Sequence, residues 1–371
     1  MARFFRVLAG LLAALCLASV AHATPPAPGF SAKADAIIRR HVAARTFSGV
    51  VLVADHGKPV FRRAYGLANR EWNIAATPET VFRIGSTTKT FTATAVLQLA
   101  DKGALRLDDP IAKYYPNAPP AWSAITLRNL LNHTSGIPDF VSTTNGFIRN
   151  GARLQDKPED LIALVRDKPL EFPPGSKFRY SNTGYVLLGM MIEKVSGKTY
   201  ANYLADAFFK PLGLSHTAYD DFADVVANRA SGYWQPAGPF ENARLMTPEA
   251  SDASGALRST ADDLLAWDQA LHTGKLLSPA SFKAMFDDEG RGYGLGSFVE
   301  TRHGHKLWDH GGNVPGFCSA FEYYPDDGVT VIVLDNIEGQ DAEKLAKELA
   351  GAWFGWAAPP KKAVAGSVSP P

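Results

Sequence analysis

Residues 82–100 read FRIGSTTKTFTATAVLQLA, and the reading of the whole chain starts from them. From Thr87 to Ala100 the only charged residue is Lys89, so a helix here is apolar nearly all round and is expected to be buried. Burial isolates Lys89. Residues three apart share a helix face, so Lys89 would bring its amine beside the hydroxyl of Ser86 at the helix start. An enclosed ammonium loses hydration, which lowers the lysine pKa toward that of a usable base. Ser86-Thr87-Thr88-Lys89 is the one Ser-x-x-Lys in the chain. About one such match is expected by chance in a chain this long, so the pattern alone leaves a plain alternative open: Ser86 as a helix N-cap and Lys89 reaching to the surface.

Upstream, the spacing over Ala32 to Ala44 predicts an amphipathic helix, with Ile37, Ile38 and Val42 on or near one face. Val50 to Val53 and Pro59 to Tyr65 read as two strands joined at His56-Gly57. Downstream, Leu127 to Leu131, Pro158 to Val165, Gly184 to Val195 and Tyr200 to Phe209 read as helices between loops rich in Pro, Asn and Gly. Thr260 to Leu271 reads as a further helix, with Ser259-Thr260-Ala261-Asp262-Asp263 offering a capping box. The last third changes to strands over Gly294 to Glu300, His305 to Asp309, Phe317 to Tyr324 and Val329 to Leu334, closed by a helix over Ala342 to Trp353. The expectation is an α/β (α+β) protein: a central antiparallel sheet completed by both chain ends and flanked by their helices, with a mostly helical insertion at about 105–255.

Arg3 and Arg6, the apolar run Val7 to Leu17 and Ala21-His22-Ala23 predict a signal peptide over 1–23 rather than a membrane anchor, because the run is short and ends in an A-x-A site. A catalytic domain over 24–357 and a disordered tail over 358–371 would follow. Hydrophobic residues make up 46% of the chain and charged residues 20%, as in folded soluble proteins. Removing Arg3 and Arg6 changes 38 basic against 37 acidic residues to 36 against 37, near neutrality. With no basic stripe, nucleic acid is excluded as a partner. Cleavage would also remove Cys16, leaving Cys318 alone without an internal disulfide. Cys318 is read as a buried small side chain rather than a nucleophile. There is no metal-ligand spacing, no G-x-S-x-G elbow and no dinucleotide glycine fingerprint, so no metal or organic cofactor is expected.

Two further stretches carry candidate chemistry. Tyr180-Ser181-Asn182 stands in a loop before an apolar helix, where a side chain can reach into a cleft. Tyr115-Pro116-Asn117 and Tyr200-Ala201-Asn202 share its outline, but the first lies in a Pro-rich loop and Tyr200 falls inside a helix. His310-Gly311-Gly312 is expected at the end of the His305 to Asp309 strand, its glycines leaving the edge open to a substrate carbonyl. His272-Thr273-Gly274 has the same outline but reads as a helix end with a Gly cap. His133 is read as a structural support of the cleft wall. Arg258 could meet a carboxylate or simply sit beside a capped helix, and Tyr293 and Phe317 could line the cleft or belong to the core.

Ser86-x-x-Lys89, Tyr180-Ser181-Asn182 and His310-Gly311-Gly312 in this order resemble the three motifs of the class C β-lactamase and DD-carboxypeptidase superfamily, which includes esterases, over roughly Ala32 to Trp353. Phe82 to Ser86, Leu130 to Gly136, Pro211 to Leu214, Ser259 to Asp263 and Tyr293 to Gly296 resemble its secondary signatures, and Ser-x-x-Lys marks β-lactamases and penicillin-binding proteins generally. The resemblance implies an acyl-enzyme on Ser86, with Lys89 and Tyr180 sharing the proton transfers and the identity of the acylation base open. It implies that Asn182 holds the substrate, that His310 replaces the usual third-motif lysine, with Gly311 and Gly312 beside it, and that the backbone N–H groups of Ser86 and Asn313 form the oxyanion hole. No Lys-Thr-Gly or Lys-Ser-Gly occurs. A mostly neutral histidine grips a carboxylate less than a lysine does, which disfavours efficient β-lactam hydrolysis and leaves esterase and D-amino-acid peptidase chemistry. The expectation is an exported, monomeric serine hydrolase, periplasmic or secreted, acting on a small-molecule or peptide substrate. The alternative is a penicillin-binding or sensing protein with the same fold and little turnover.

Overall fold

The structure is a computed structural model and describes residues 25–144, 147–148, 152, 157–235, 238–339 and 341–356. The expected signal peptide and tail lie outside these residues. Six antiparallel strands form the central sheet, in the spatial order Phe298–Arg302, His305–Val314, Phe317–Tyr324, Val329–Asp335, Gly49–Asp55 and Lys58–Tyr65. The two ends of the chain meet in its middle, where Gly49 pairs with Asp335 and Asp55 with Val329. Among the described residues no helix is long and apolar enough to cross a membrane.

The run Val50-Val51-Leu52-Val53 lacks polar alternation because helices cover both faces of the sheet. Val51 and Val53 face the first helix, Phe30–Ala43, and the C-terminal helix, Asp341–Phe354, in a core with Phe30, Ile38, Val331, Val333, Leu345, Leu349 and Trp353. Val50 and Leu52, with Ile332 and Leu334, face the opposite core around Phe91, Val96 and Trp267. That second core holds the helix Thr88–Asp101, buried over most of its length as its composition requires. Phe91 stacks on Trp267 with ring centroids 3.9 Å apart.

Several boundaries differ from the sequence expectation for identifiable reasons. A 3₁₀ turn, Gly85–Thr87, precedes the buried helix and carries Ser86. The edge strand starts at Phe298 rather than Gly294, because Gly294 N–H closes a turn onto Ser297 O at 2.9 Å. Tyr200–Leu204 is α-helical and continues as a π-helical turn over Ala205–Phe209. Only half of the expected capping box forms: Thr260 accepts from Asp263 N–H, while the Asp263 carboxylate turns to His216 N–H and Thr217. Between residues 105 and 255 the helices Leu127–Leu131, Pro158–Ala163 and Asn182–Ser196 are accompanied by short strands. One of them, Ala218–Tyr219, joins Leu257–Ser259 and Phe82–Arg83 in a small three-stranded sheet.

The main difference concerns the glycines after His310. The strand does not stop at Asp309 but runs through Gly311-Gly312 to Val314, so His310-Gly311-Gly312 lies within it. Paired glycines read as a strand end, yet here packing demands them: a Cβ on Gly312 would stand 1.9 Å from Ile84 O. Gly312→Ala is therefore expected to push the strand off the 3₁₀ turn, with an overpacking cost of about 1–3 kcal/mol. A thermal melt should fall by several degrees and ester turnover should drop with it; an unshifted melt would contradict this packing.

Candidate active site

Ser86 leaves the small sheet on a tight turn in which Gly85 has φ 51°, a left-handed conformation suited to glycine. The turn lies directly under the His305–Val314 strand: a Cβ on Gly85 would meet Asn313 N at 2.7 Å. Thr87 Oγ1 donates to His310 O at 3.2 Å, and Ser319 Oγ donates to Ile84 O at 2.8 Å. The Ser86 turn and the His310 strand are thereby held at a fixed separation.

One helical turn after Ser86, Lys89 is completely buried. Its Nζ donates to Ser86 Oγ at 3.2 Å, Asn182 Oδ1 at 2.9 Å and Ser254 O at 2.7 Å, which uses all three donors of an ammonium. The alternative in which Lys89 reaches the surface does not hold. Burial brings its pKa down from 10.5 to about 7, against the pull of the Asp139 carboxylate, which raises it.

Tyr180 enters from the loop before the helix Asn182–Ser196. Its ring lies 4.8 Å from Lys89 Nζ. Its hydroxyl is buried beside Ser86 and is influenced by it, yet has no hydrogen bond of good geometry. Burial drives the phenol well above its usual value of 10, so it is protonated at neutral pH. His133 supports this ring from behind, with centroids 4.3 Å apart, and its Nδ1 accepts from Ser181 N–H at 3.2 Å.

Asn182 links Lys89 to a residue that the sequence did not single out. Its backbone N–H and Nδ2 both donate to Asp139 Oδ1, at 2.9 and 3.2 Å, while Asp139 Oδ2 caps the short helix Phe140–Thr143 by accepting from Ser142 N–H. An Asp before an apolar residue is an N-cap signal, but nothing local in the sequence shows that the other oxygen orients Asn182.

His310 is buried, at 2% exposure. A carbonyl can only accept, so Nδ1 carries the ring hydrogen and donates to Gly311 O at 2.6 Å, while Nε2 accepts from the Tyr293 hydroxyl at 3.1 Å. Burial, aided by the charge of Lys89, brings its pKa from 6.5 to about 3, so the ring is neutral at physiological pH. The partner strand Phe298–Arg302 stops opposite Asp309, so residues 310–314 pair on one side only, with Phe317–Tyr324.

These elements surround a cleft of about 230 Å³ lined by Ser86, Tyr180, Phe298, His310, Gly311, Gly312 and Asn313, with Cys318, Gly339 and Glu343 at its far side. Lys89 and Asn182 stand behind Ser86. The remaining candidates lie elsewhere. Tyr200 donates or accepts at Thr92 inside the core, His272 pairs with Asp268, and Arg258 is bound by Asp220, Asp224 and Tyr219 O. Glu343 was not anticipated: a single acid on a surface helix carries no sequence signal.

A family model described as Beta-lactamase matches residues 34–352. PbpX of Bacillus subtilis (strain 168) is 33% identical over 294 residues, covering 78% of this chain and 70% of that one. Among solved structures, the penicillin-binding protein homologue from Pyrococcus abyssi superposes with a TM-score of 0.76 at 30% identity, over 87% of this chain and 77% of that one. D-amino acid amidase from Ochrobactrum anthropi SV3 superposes with a TM-score of 0.77 at 26% identity, over 88% and 97% of the two chains.

Proposed function

The chain belongs to the Beta-lactamase family, within the β-lactamase and penicillin-binding-protein-like serine hydrolase superfamily, and from that premise we propose that it hydrolyses acyl compounds through an acyl-enzyme on Ser86. The observation that carries the proposal is the contact between Ser86 Oγ and the Lys89 amine, whose pKa near 7 leaves much of it neutral at physiological pH. Lys89 is the acylation base in this reading: once neutral, its amine keeps Asn182 Oδ1 and Ser254 O as acceptors and turns its lone pair toward Ser86 Oγ, 3.2 Å away, whereas burial holds the Tyr180 phenol protonated.

Ser86 Oγ attacks the substrate carbonyl as its proton passes to Lys89 Nζ. The oxygen of the tetrahedral intermediate sits between the N–H groups of Ser86 and Asn313, each such donor being worth about 10²–10³ in rate. The carbon–leaving-group bond then breaks, and the departing alcohol or amine takes a proton from Tyr180, which regains one from Lys89. Water, giving a proton to the same pair, attacks the ester on Ser86; the acyl carbon–Oγ bond breaks, Oγ takes that proton back and the acid is released. Asn182 positions Lys89, while the unpaired edge at Gly311 and Gly312 receives the substrate backbone. The neutral His310 supplies shape and no charge.

The substrate classes that fit are esters, amides and short D-amino-acid peptides. A neutral His310 in place of a third-motif lysine and the likeness to a D-amino acid amidase support this range over β-lactams. The N-terminal reading supports a site of action outside the cytoplasm. With a p-nitrophenyl ester in stopped flow, a burst of about one nitrophenolate per Ser86, followed by steady turnover, is the expected result, with the acyl mass on the Ser86 peptide. A burst without turnover would instead mark a binding protein, and no burst and no adduct would remove the acyl-enzyme.

A further inference from the structure

Among the described residues lining the cleft, Glu343 is the one charged side chain. It projects from the C-terminal helix onto the Cα of Gly311: a Cβ on that glycine would lie 1.9 Å from Glu343 Oε1 and 2.8 Å from its Cδ. The carboxylate therefore occupies the space that a side chain at position 311 would need. In the motif that this strand resembles, that position holds a threonine or serine, preceded by a lysine. Both features are absent here. The preceding residue is the neutral His310, with both ring nitrogens bonded within the protein, and the hydroxyl is replaced by an anion from another element.

Among the described residues no hydrogen bond or ion pair to a cation accompanies this carboxylate. Arg302 is held by Glu322 and Glu300; burial and those two acids push the Glu343 carboxyl above its ordinary value, against the pull of Arg302. With Glu343, Glu322 and Glu300 against Arg302, acidic groups are in excess here, and Phe298 and Tyr180 add aromatic rings to the cleft lining. A carboxylate-bearing substrate would meet repulsion where the motif ordinarily offers a cation, whereas an ammonium would gain a partner and lose little hydration at this half-open rim.

We propose that Glu343 is a specificity-determining residue that selects acyl substrates bearing a positively charged amino group, such as amino-acid esters and amides with a free amine, over neutral and anionic ones. The proposal rests on the acyl-enzyme reading and names the substrate class of that site.

The test compares kcat/KM for three matched ester substrates on purified wild-type protein: a D-phenylalanine ester with a free amine, its N-acetyl form and its N-succinyl form. Selectivity for the amine over the N-acetyl ester is expected to be about two- to fivefold, the contribution of a partly exposed charge pair, and to shrink as salt is raised. In Glu343→Gln the ratio should fall toward one through KM and lose its salt dependence. Glu343→Lys should invert the preference toward the succinyl ester. Gly311→Ser, which can be accommodated only by displacing the flexible carboxylate, should lower the ratio as well. A wild-type ratio near one, or a ratio unmoved in Glu343→Gln, overturns the proposal. Loss of all ester turnover in Ser86→Ala, alongside such an unmoved ratio, would leave the acyl-enzyme reading standing.

Discussion

Replacing Ser86 with alanine is expected to lower kcat for a chromogenic ester by at least about 10⁴-fold, to the level that binding and oxyanion donors sustain without a nucleophile. The fold should hardly notice. Ser86 is partly exposed, and the hydrogen bond lost is one of three to Lys89, whose contacts with Asn182 and Ser254 remain. A change within about 1 kcal/mol is expected for one such bond, so the melting temperature should stay within a few degrees. Undiminished turnover in Ser86→Ala would remove the proposed chemistry. A collapsed melt would show instead that the residue is structural.

The second large effect is on the pH profile. Lys89 acts as a base only when neutral, so kcat/KM should rise about tenfold per unit below pH 7 and level off above it. His310, held near 3, and Tyr180, held well above 10, do not titrate between pH 5 and 9. The buried carboxyl of Asp252 is also pushed up to about 7 and could produce a limb in the same place. Asp139→Asn separates the two. The Asp139 charge raises the pKa of Lys89, so neutralising it should move the limb to lower pH if Lys89 is responsible. Lys89→Met should abolish the limb and cost about 10²–10⁴ in rate. A flat profile from pH 5 to 9 in the wild type, or a limb unmoved by Asp139→Asn, contradicts Lys89 as the base.

The sequence revealed those parts of the molecule that depend on local pattern. A helix with one charge, an unbroken β-branched run and a closing amphipathic helix each admit few environments, and together they specify a sheet covered on both faces. The same logic isolates Lys89 from composition alone. What stayed hidden depends on contacts between distant segments. Gly311 and Gly312 look like a strand terminus when read alone. Their continuation to Val314 is intelligible only once Ile84 O and Glu343 are seen pressing against them. Asp139 reads as a helix cap, and its grip on Asn182 spans 43 positions. The short strands around Phe82, Ala218 and Leu257 have too few residues each to show a period.

Because the strand at residues 49–55 finds its neighbour only at residues 329–335, the polypeptide cannot assemble its central layer until residues 329–335 have been synthesised. Such distant pairing is intrinsically slow to form. A growing or still-extended chain thus carries Ser86 without the strand His305–Val314 that lies over it in the folded structure. Under the proposed mechanism hydrolysis requires that strand to be in place, so the first turnover would be a direct readout of completed folding.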